Sequence, residues 1–229
     1  MPDQFRKKLV QIRDRINYHL SRNTRKGLNG LDDFLDSYLD FEGGYFIEAG
    51  ANDGINQSNT YHLEAARSWK GLLIEPNPRL SKQCKWNRPR SHVVNAALVS
   101  DSYAKSTIEL YDADLMSITS EALSQSEREH LEHGVEIQHL DKVEMIEVQA
   151  KTLTSILDQV QCPEAIDFFS LDVEGYELEV LSGLDLNRYK PRLFLIETQK
   201  VDFVTKQLAG FGYAGPIQAT HHDYLYLRD

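Results

Sequence analysis

The stretch YFIEAGANDG, Tyr45 to Gly54, decides how the rest of the chain is read. Tyr45, Phe46 and Ile47 run into an acid, Glu48, and Gly50 and Gly54 follow at a spacing of four. This pattern predicts a buried strand ending in a tight turn, because glycine permits such a turn and close backbone approach to a ligand. Downstream the pattern alternates. A helix is expected over 57–67, a second strand in GLLIEPN (71–77), a helix over 79–86 and a third strand in HVVNAALV (92–99). IDFFSLDV (166–173) reads as a fourth strand, then a helix over 176–181, a fifth strand in RLFLIET (192–198) and a helix over 202–208. Short apolar strands alternating with helices predict an α/β fold with a mainly parallel sheet covered on both faces. YAGPIQAT (213–220) and DYLYLRD (223–229) read as an antiparallel hairpin at one edge.

Two segments interrupt this alternation. Phe5, Leu9, Ile12, Ile16 and Leu20 mark one face of a basic helix over 4–22, broken by the glycines of TRKGLNG and followed by a helix over 31–39. Residues 1–42 are therefore expected as a helical extension to one domain, 43–229. The stripe must be covered, by the protein's own domain, by a second copy in a homodimer, or by an anionic membrane, in that order of preference. Residues 100–150 are expected as an insertion in the same domain. STIELYDADLMSIT (106–119) has strand-like patches, Glu121–Glu132 reads as a polar helix, and VEMIEVQ (143–149) as a strand.

The 229 residues suit a single core, and 41% hydrophobic with 26% charged residues is ordinary soluble composition. A net charge of −10 argues against nucleic acid as a partner, although residues 1–30 carry a local +6. Cys84 and Cys162 make neither a disulfide framework nor a metal knuckle. No apolar run is long enough for a transmembrane span, so a cytoplasmic location is expected.

In open α/β sheets ligands sit beyond the carboxyl ends of the strands. The first strand there lacks both the Gly-x-Gly-x-x-Gly dinucleotide fingerprint and a P-loop Gly-Lys-Ser/Thr. An acid before the first glycine suits a ligand with a cationic amino-acid end and no phosphate, a description that fits S-adenosylmethionine. Glu75, 21 residues past Gly54 at the end of the second strand, is placed to accept ribose hydroxyls.

FIEAGANDG, LLIEPNP, NAALVSD, FFSLDVEGYELEVLSG and LFLIET, in this order over about residues 43–198, resemble the FkbM-type S-adenosylmethionine-dependent methyltransferases. The resemblance implies the class I methyltransferase, Rossmann-like fold: a seven-stranded sheet in the order 3-2-1-4-5-7-6. It also implies O-methylation of a small-molecule or saccharide hydroxyl. By the same resemblance Glu48, Gly50, Ala51, Asn52, Asp53 and Gly54 form the cofactor loop, with Glu75 and Pro76 at the ribose, Asn95 and Ala96 near adenine, and Asp172 at the fourth strand. Ser117 matches a serine that commonly follows the third strand. Two positions depart from the family pattern: Ser170 stands where Lys is usual and Thr154 where Asp is usual.

An alcohol acceptor needs help to shed its proton, from a general base or a metal ion. Asp172, Glu174 and Glu197, at or just past the ends of strands four and five, are the candidate catalytic groups and candidate ligands for Mg²⁺ or Ca²⁺. The bland alternative makes Glu174 a helix cap and Glu177 a solvated surface acid. His130, His133 and His139 read as solvated positions, and His221-His222-Asp223 as a turn whose neighbouring side chains diverge. The rival functions are N- or carboxyl-methylation on the same fold and a non-catalytic adenosine-binding module.

Overall fold

The computed structural model describes residues 23–112, 118–119 and 144–228. The basic helix expected over 4–22, Ser117, the polar helix over 121–132 and His130, His133 and His139 lie outside the described residues.

A 3-10 turn at Leu28–Gly30 leads into α1 (Leu31–Leu39), which places Leu31, Leu35 and Leu39 on its buried face. The central sheet then begins with β1 (Tyr45–Ala49) and β2 (Lys70–Ile74), joined through α2 (Tyr61–Arg67). Next come α3 (Pro78–Asn87) and β3 (His92–Val94). After the insertion and α4 (Leu153–Gln159), the sheet resumes with β8 (Phe168–Leu171), α5 (Glu177–Ser182), β9 (Leu193–Glu197) and α6 (Val201–Ala209). It closes with β10 (Ala214–Gln218) and β11 (Asp223–Leu227). The insertion holds β4 (Ala97–Leu98), β5 (Thr107–Asp112), β6 (Ile118–Thr119) and β7 (Glu144–Lys151).

The seven strands run in the order β10-β11-β9-β8-β1-β2-β3. These labels break sequence because four inserted strands intervene. Counted within this sheet alone, from the β3 edge, the order is 3-2-1-4-5-7-6. The sheet is mixed: β11 runs antiparallel to both β9 and β10, while β3, β2, β1, β8 and β9 are parallel. Central β1 alternates its side chains between two cores. Phe46 joins Leu73, Phe168, Leu195 and the buried face of α1 on one side. Ile47 and Ala49 join Leu72, Phe169, Phe194 and the inner faces of α4, α5 and α6 on the other.

The expected third strand over 92–99 divides in two. β3 stays in the main sheet, whereas β4 pairs in parallel with β7 in a four-stranded sheet of order β4-β7-β5-β6. The break falls at Asn95, whose amide donates to the carbonyls of Glu75 and Pro76, both at 2.8 Å. The second sheet shares a core with the main domain through Tyr176, which packs with Ala97, Val99, Ile108, Leu110 and Val148.

The α1–α3 side of the sheet is built around Arg88, the residue that follows α3, which is 1% exposed. Its Nε donates to Glu64 Oε2 (2.7 Å) and its Nη1 to the Gly54 carbonyl (2.9 Å) and Ser58 Oγ (3.3 Å). Nη2 donates to Thr60 Oγ1 (3.0 Å) and the Thr60 carbonyl (3.4 Å). The five donors of a guanidinium are thereby used. The group also lies over the rings of Phe46 and Tyr61, at 5.2 and 5.6 Å from their centroids. Removing one partner of such a set leaves buried carboxylates uncompensated, which costs about 3–5 kcal/mol. Arg88→Met is therefore expected to destabilise the protein by about that amount in denaturant titration. Arg88→Lys should rescue little, since an ammonium cannot reach both sides of the fork. A loss below about 1 kcal/mol would show that the network is not holding this side of the domain together.

Candidate functional site

At the carboxyl ends of β1 and β8 the chain leaves a recess lined by Glu48, Gly50, Asn52, Asn56, Gln57, Ser58, Asn59, Ser170 and Asp172, with Ala49 and Ala51. Among the described residues no Lys, Arg or His lines it. Its floor is β1, and its rim is the loop from Gly50 to Thr60.

Two glycines shape that loop, each for a reason internal to the protein. Gly50 has φ +83°, and a Cβ there would fall 1.8 Å from the Asp172 carbonyl oxygen. Gly54 has φ +82°, and a Cβ there would meet Cys84 Sγ and Arg88 Cγ at 2.8 Å. Left-handed backbone and close approach thus coincide at both. Between them Asp53 closes the turn: Oδ1 accepts from the amides of Ile55 (2.9 Å) and Asn56 (2.8 Å), and Asn87 Nδ2 donates to the Asp53 carbonyl (2.8 Å).

Glu48 is buried and its carboxylate anchors the loop. Oε2 accepts from Ser58 Oγ (2.9 Å) and Thr60 Oγ1 (2.6 Å), Oε1 accepts from the Asn59 amide (2.9 Å), and Arg88 lies 3.8 Å away. Burial pushes its pKa up, against the pull of Arg88 and these three donors. Glu75, at the end of β2, is 5% exposed and tethers two loops: Oε2 accepts from the Asn52 amide and Oε1 from the Asn77 amide, both at 2.8 Å. Asn77 in turn caps α3, accepting from the Arg79 amide at 2.9 Å with Pro78 in the first turn. Pro76 is half-buried, and Ala96 is packed in the core under the β3 end.

Ser170 sits opposite Glu48 in the β1–β8 register and accepts from Asn59 Nδ2 at 3.0 Å. Asn59 Oδ1 is buried with no hydrogen-bond partner. The serine thus leaves a small neutral side chain at this position of the recess wall, where the family resemblance implies a lysine. Thr154, the other departure, has a structural task, donating to the Gly183 carbonyl (2.9 Å) and accepting from the Asp185 amide (2.7 Å).

The loop after β8 supplies the second wall. Burial raises the Asp172 pKa well above the usual carboxylate range, and the charges of Glu197, Glu174, Glu177 and Asp223 raise it further. Glu174 and Gly175 are both left-handed, with φ +52° and +92°. For glutamate that conformation costs free energy and persists only when neighbours hold it. Here Gly175 is clamped from both ends: its amide donates to Glu177 Oε1 (2.7 Å) and its carbonyl accepts from Lys200 Nζ (2.7 Å). Glu177 is 1% exposed and also accepts from Thr198 Oγ1 at 3.2 Å, so it is a buried brace and not a solvated acid. Nor does Glu174 cap α5, whose N-cap is Tyr176 without a side-chain hydrogen bond.

Glu197 and Asp223 are register partners across β9 and β11, which brings Asp223 into this carboxylate group. Sequence reasoning passed over Asp223 because its partner strand lies 26 residues upstream and only the antiparallel register joins them. His221 and His222 are exposed beside it. Among the described residues no three His, Cys, Asp or Glu side chains come together in a way that could hold a metal ion. Asp172, Glu174 and Glu197, considered from the sequence as ligands for Mg²⁺ or Ca²⁺, do not form such a cluster. Cys84 and Cys162 are free, and no described helix is long and apolar enough to cross a membrane.

Several solved structures are similar to this chain. A TehB-like SAM-dependent methyltransferase from Corynebacterium glutamicum aligns over 99% of this chain and 100% of that one, at 11% identity and a TM-score of 0.44. The precorrin-6y C5,15-methyltransferase of Geobacter metallireducens aligns over 91% and 92%, at 11% identity and a TM-score of 0.45. Aeropyrum pernix fibrillarin, with natively bound S-adenosyl-L-methionine, aligns over 86% and 71%, at 10% identity and a TM-score of 0.43. At these scores the likeness decides neither the fold nor the function of this chain. No curated protein matches it. The family model of the methyltransferase FkbM domain matches residues 48–225, which take in the recess, the insertion, β10 and the start of β11. The chain belongs to the FkbM methyltransferase family, and it is a methyltransferase.

Proposed function

We propose that this methyltransferase uses S-adenosylmethionine to methylate a hydroxyl of a small molecule or saccharide. The observation that carries the cofactor is the recess wall, which among the described residues offers acceptors and no basic side chain. Such a wall suits a ligand with an ammonium, a sulfonium and ribose hydroxyls, and it disfavours a dinucleotide pyrophosphate. Asn59 and Ser170 on the recess wall, with the Asp172 carbonyl beside Gly50, would border the amino-acid end. Glu75 would take the ribose hydroxyls with Asn52, Asp53 and Pro76 around it, and Asn95 with Ala96 would border the adenine. Glu48 contributes indirectly, by holding the loop from Ser58 to Thr60 in place.

The cofactor supplies an electrophilic methyl group. The chain's own residues must align the acceptor, exclude water and take its proton. Asp172 suits the last task. A carboxyl whose pKa is raised toward the working pH is a stronger base than an ordinary aspartate. Glu197 and Asp223 keep that pKa high, and the Glu177–Gly175–Lys200 clamp fixes the loop that carries Glu174. The same acids favour a second reading, N-methylation of an amine that arrives as a cation.

Calorimetry is expected to show binding of S-adenosylhomocysteine and none of NAD. Glu75→Gln should weaken that binding by about 1.5–3 kcal/mol, because a charged acceptor of ribose hydroxyls becomes neutral. No binding, or equal binding by the variant, would overturn the cofactor assignment.

Methyl-labelled cofactor offered with cell extracts would identify the acceptor. With it in hand, Asp172→Asn should lower kcat by about 10²–10⁴-fold. Its affinity for S-adenosylhomocysteine should stay close to that of the wild type. Because the base must be ionised, wild-type activity should fall as pH drops through a pKa above the usual carboxylate range. A variant that keeps its turnover and its pH profile would remove Asp172 from the chemistry.

A further inference from the structure

Residues 24–27 lead into α1 and are pinned to two helices. Thr24 Oγ1 and His62 Nδ1, on α2, are hydrogen-bonded at 2.6 Å. Arg25 pairs with Asp33 (2.8 Å) and with Asp36, both on α1. The Gly27 amide donates to Oδ2 of Asp32 at 2.6 Å, and Asp32 is 6% exposed. Gly27 is itself tightly packed. A Cβ there would fall 3.0 Å from Asp32 Oδ2 and 3.1 Å from Asn59 Oδ1. Its backbone, at φ −56° and ψ 139°, is open to any residue, so the missing side chain serves close approach and not conformation.

What Gly27 approaches is a side chain of the recess wall. Asn59 is held by its backbone amide to Glu48 Oε1 (2.9 Å) and by Nδ2 to Ser170 Oγ (3.0 Å), while its Oδ1 is buried without a hydrogen-bond partner. Covering an acceptor in this way costs free energy, so stability alone does not account for the contact. We infer that Gly27 is a positioning residue for the cofactor: it bears on Asn59 Oδ1 and sets the side chain that borders the amino-acid end of S-adenosylmethionine, while Asp32 fixes Gly27. The inference rests on the cofactor reading above. Neither Gly27 nor Asp32 lines the recess, so both act through Asn59. A side chain at position 27 would press on the carboxamide that lies between Gly27 and Ser170. A packed interior has little free volume to absorb such a shift, so the shift passes to the recess wall. The plain alternative, in which Gly27 only starts the 3-10 turn, predicts an effect on stability and none on the ligand.

Calorimetry of the full chain with S-adenosylhomocysteine, run as a double-mutant cycle, tests this. Gly27→Val should weaken binding by about five- to tenfold, the worth of one hydrogen bond. In an Asn59→Ala background the same substitution should change binding by less than about twofold, because the side chain it displaces is gone. Thermal melting checks the folding of each variant. If Gly27→Val does not fold, Gly27→Ala, with its smaller side chain, should weaken binding in the same direction by about two- to threefold. Failure of the wild type to bind would overturn the cofactor reading and this inference with it. Binding by the wild type and by the folded Gly27 variant with equal affinity would overturn the inference alone, and a lowered melting temperature beside it would assign Gly27 to the helix entry. Equal losses in both backgrounds would overturn it as well, since Gly27 would then act without Asn59.

Discussion

The buried guanidinium of Arg88 is the interaction on which the candidate site depends. It joins α3 to Glu64 on α2, to the Gly54 carbonyl and to the Ser58–Thr60 segment, and it approaches Glu48 at the end of β1. A cation this deep in an apolar layer is tolerable only when every donor has a partner. That requirement fixes the loop. Its partners Gly54, Ser58 and Thr60 belong to the rim of the recess, so the geometry that meets the guanidinium's needs also shapes the ligand site.

The two sides of the recess are held differently. The Gly50–Thr60 side is held by a buried cation and by neutral donors to Glu48. The side after β8 is held by a clamp on Gly175 and crowded with acids whose charges oppose one another. The contrast separates tasks. One wall is settled electrostatically and suits a ligand that must be held; the other stores a raised pKa and suits a group that must take a proton.

Much of this was legible in the sequence. Short apolar runs alternating with helical stretches pointed to β1, β2, β8 and β9, and the strand-end rule pointed to Glu48, Gly50, Glu75 and Asp172. The roles were less legible. Gly50 was read as making room for a ligand, yet the Asp172 carbonyl already fills that space. Asn95 was read as part of a continuous strand, but the ladder with β2 ends at Val94, and the Asn95 side-chain amide bonds to a loop 19 and 20 residues earlier. Arg88 carried no local signal at all, since a lone arginine after a basic helix reads as surface. Its partners lie 24 to 34 residues upstream, and only the packing of α2 and α3 on one face of the sheet brings them together.

The most direct test of the account is a crystal structure of the protein with S-adenosylhomocysteine. The account predicts the ligand in the recess between the Gly50–Thr60 loop and Asp172, with its ribose hydroxyls on Glu75 and its amino-acid end toward Asn59. A ligand bound elsewhere, or one in the recess whose ribose makes no contact with Glu75, would contradict it.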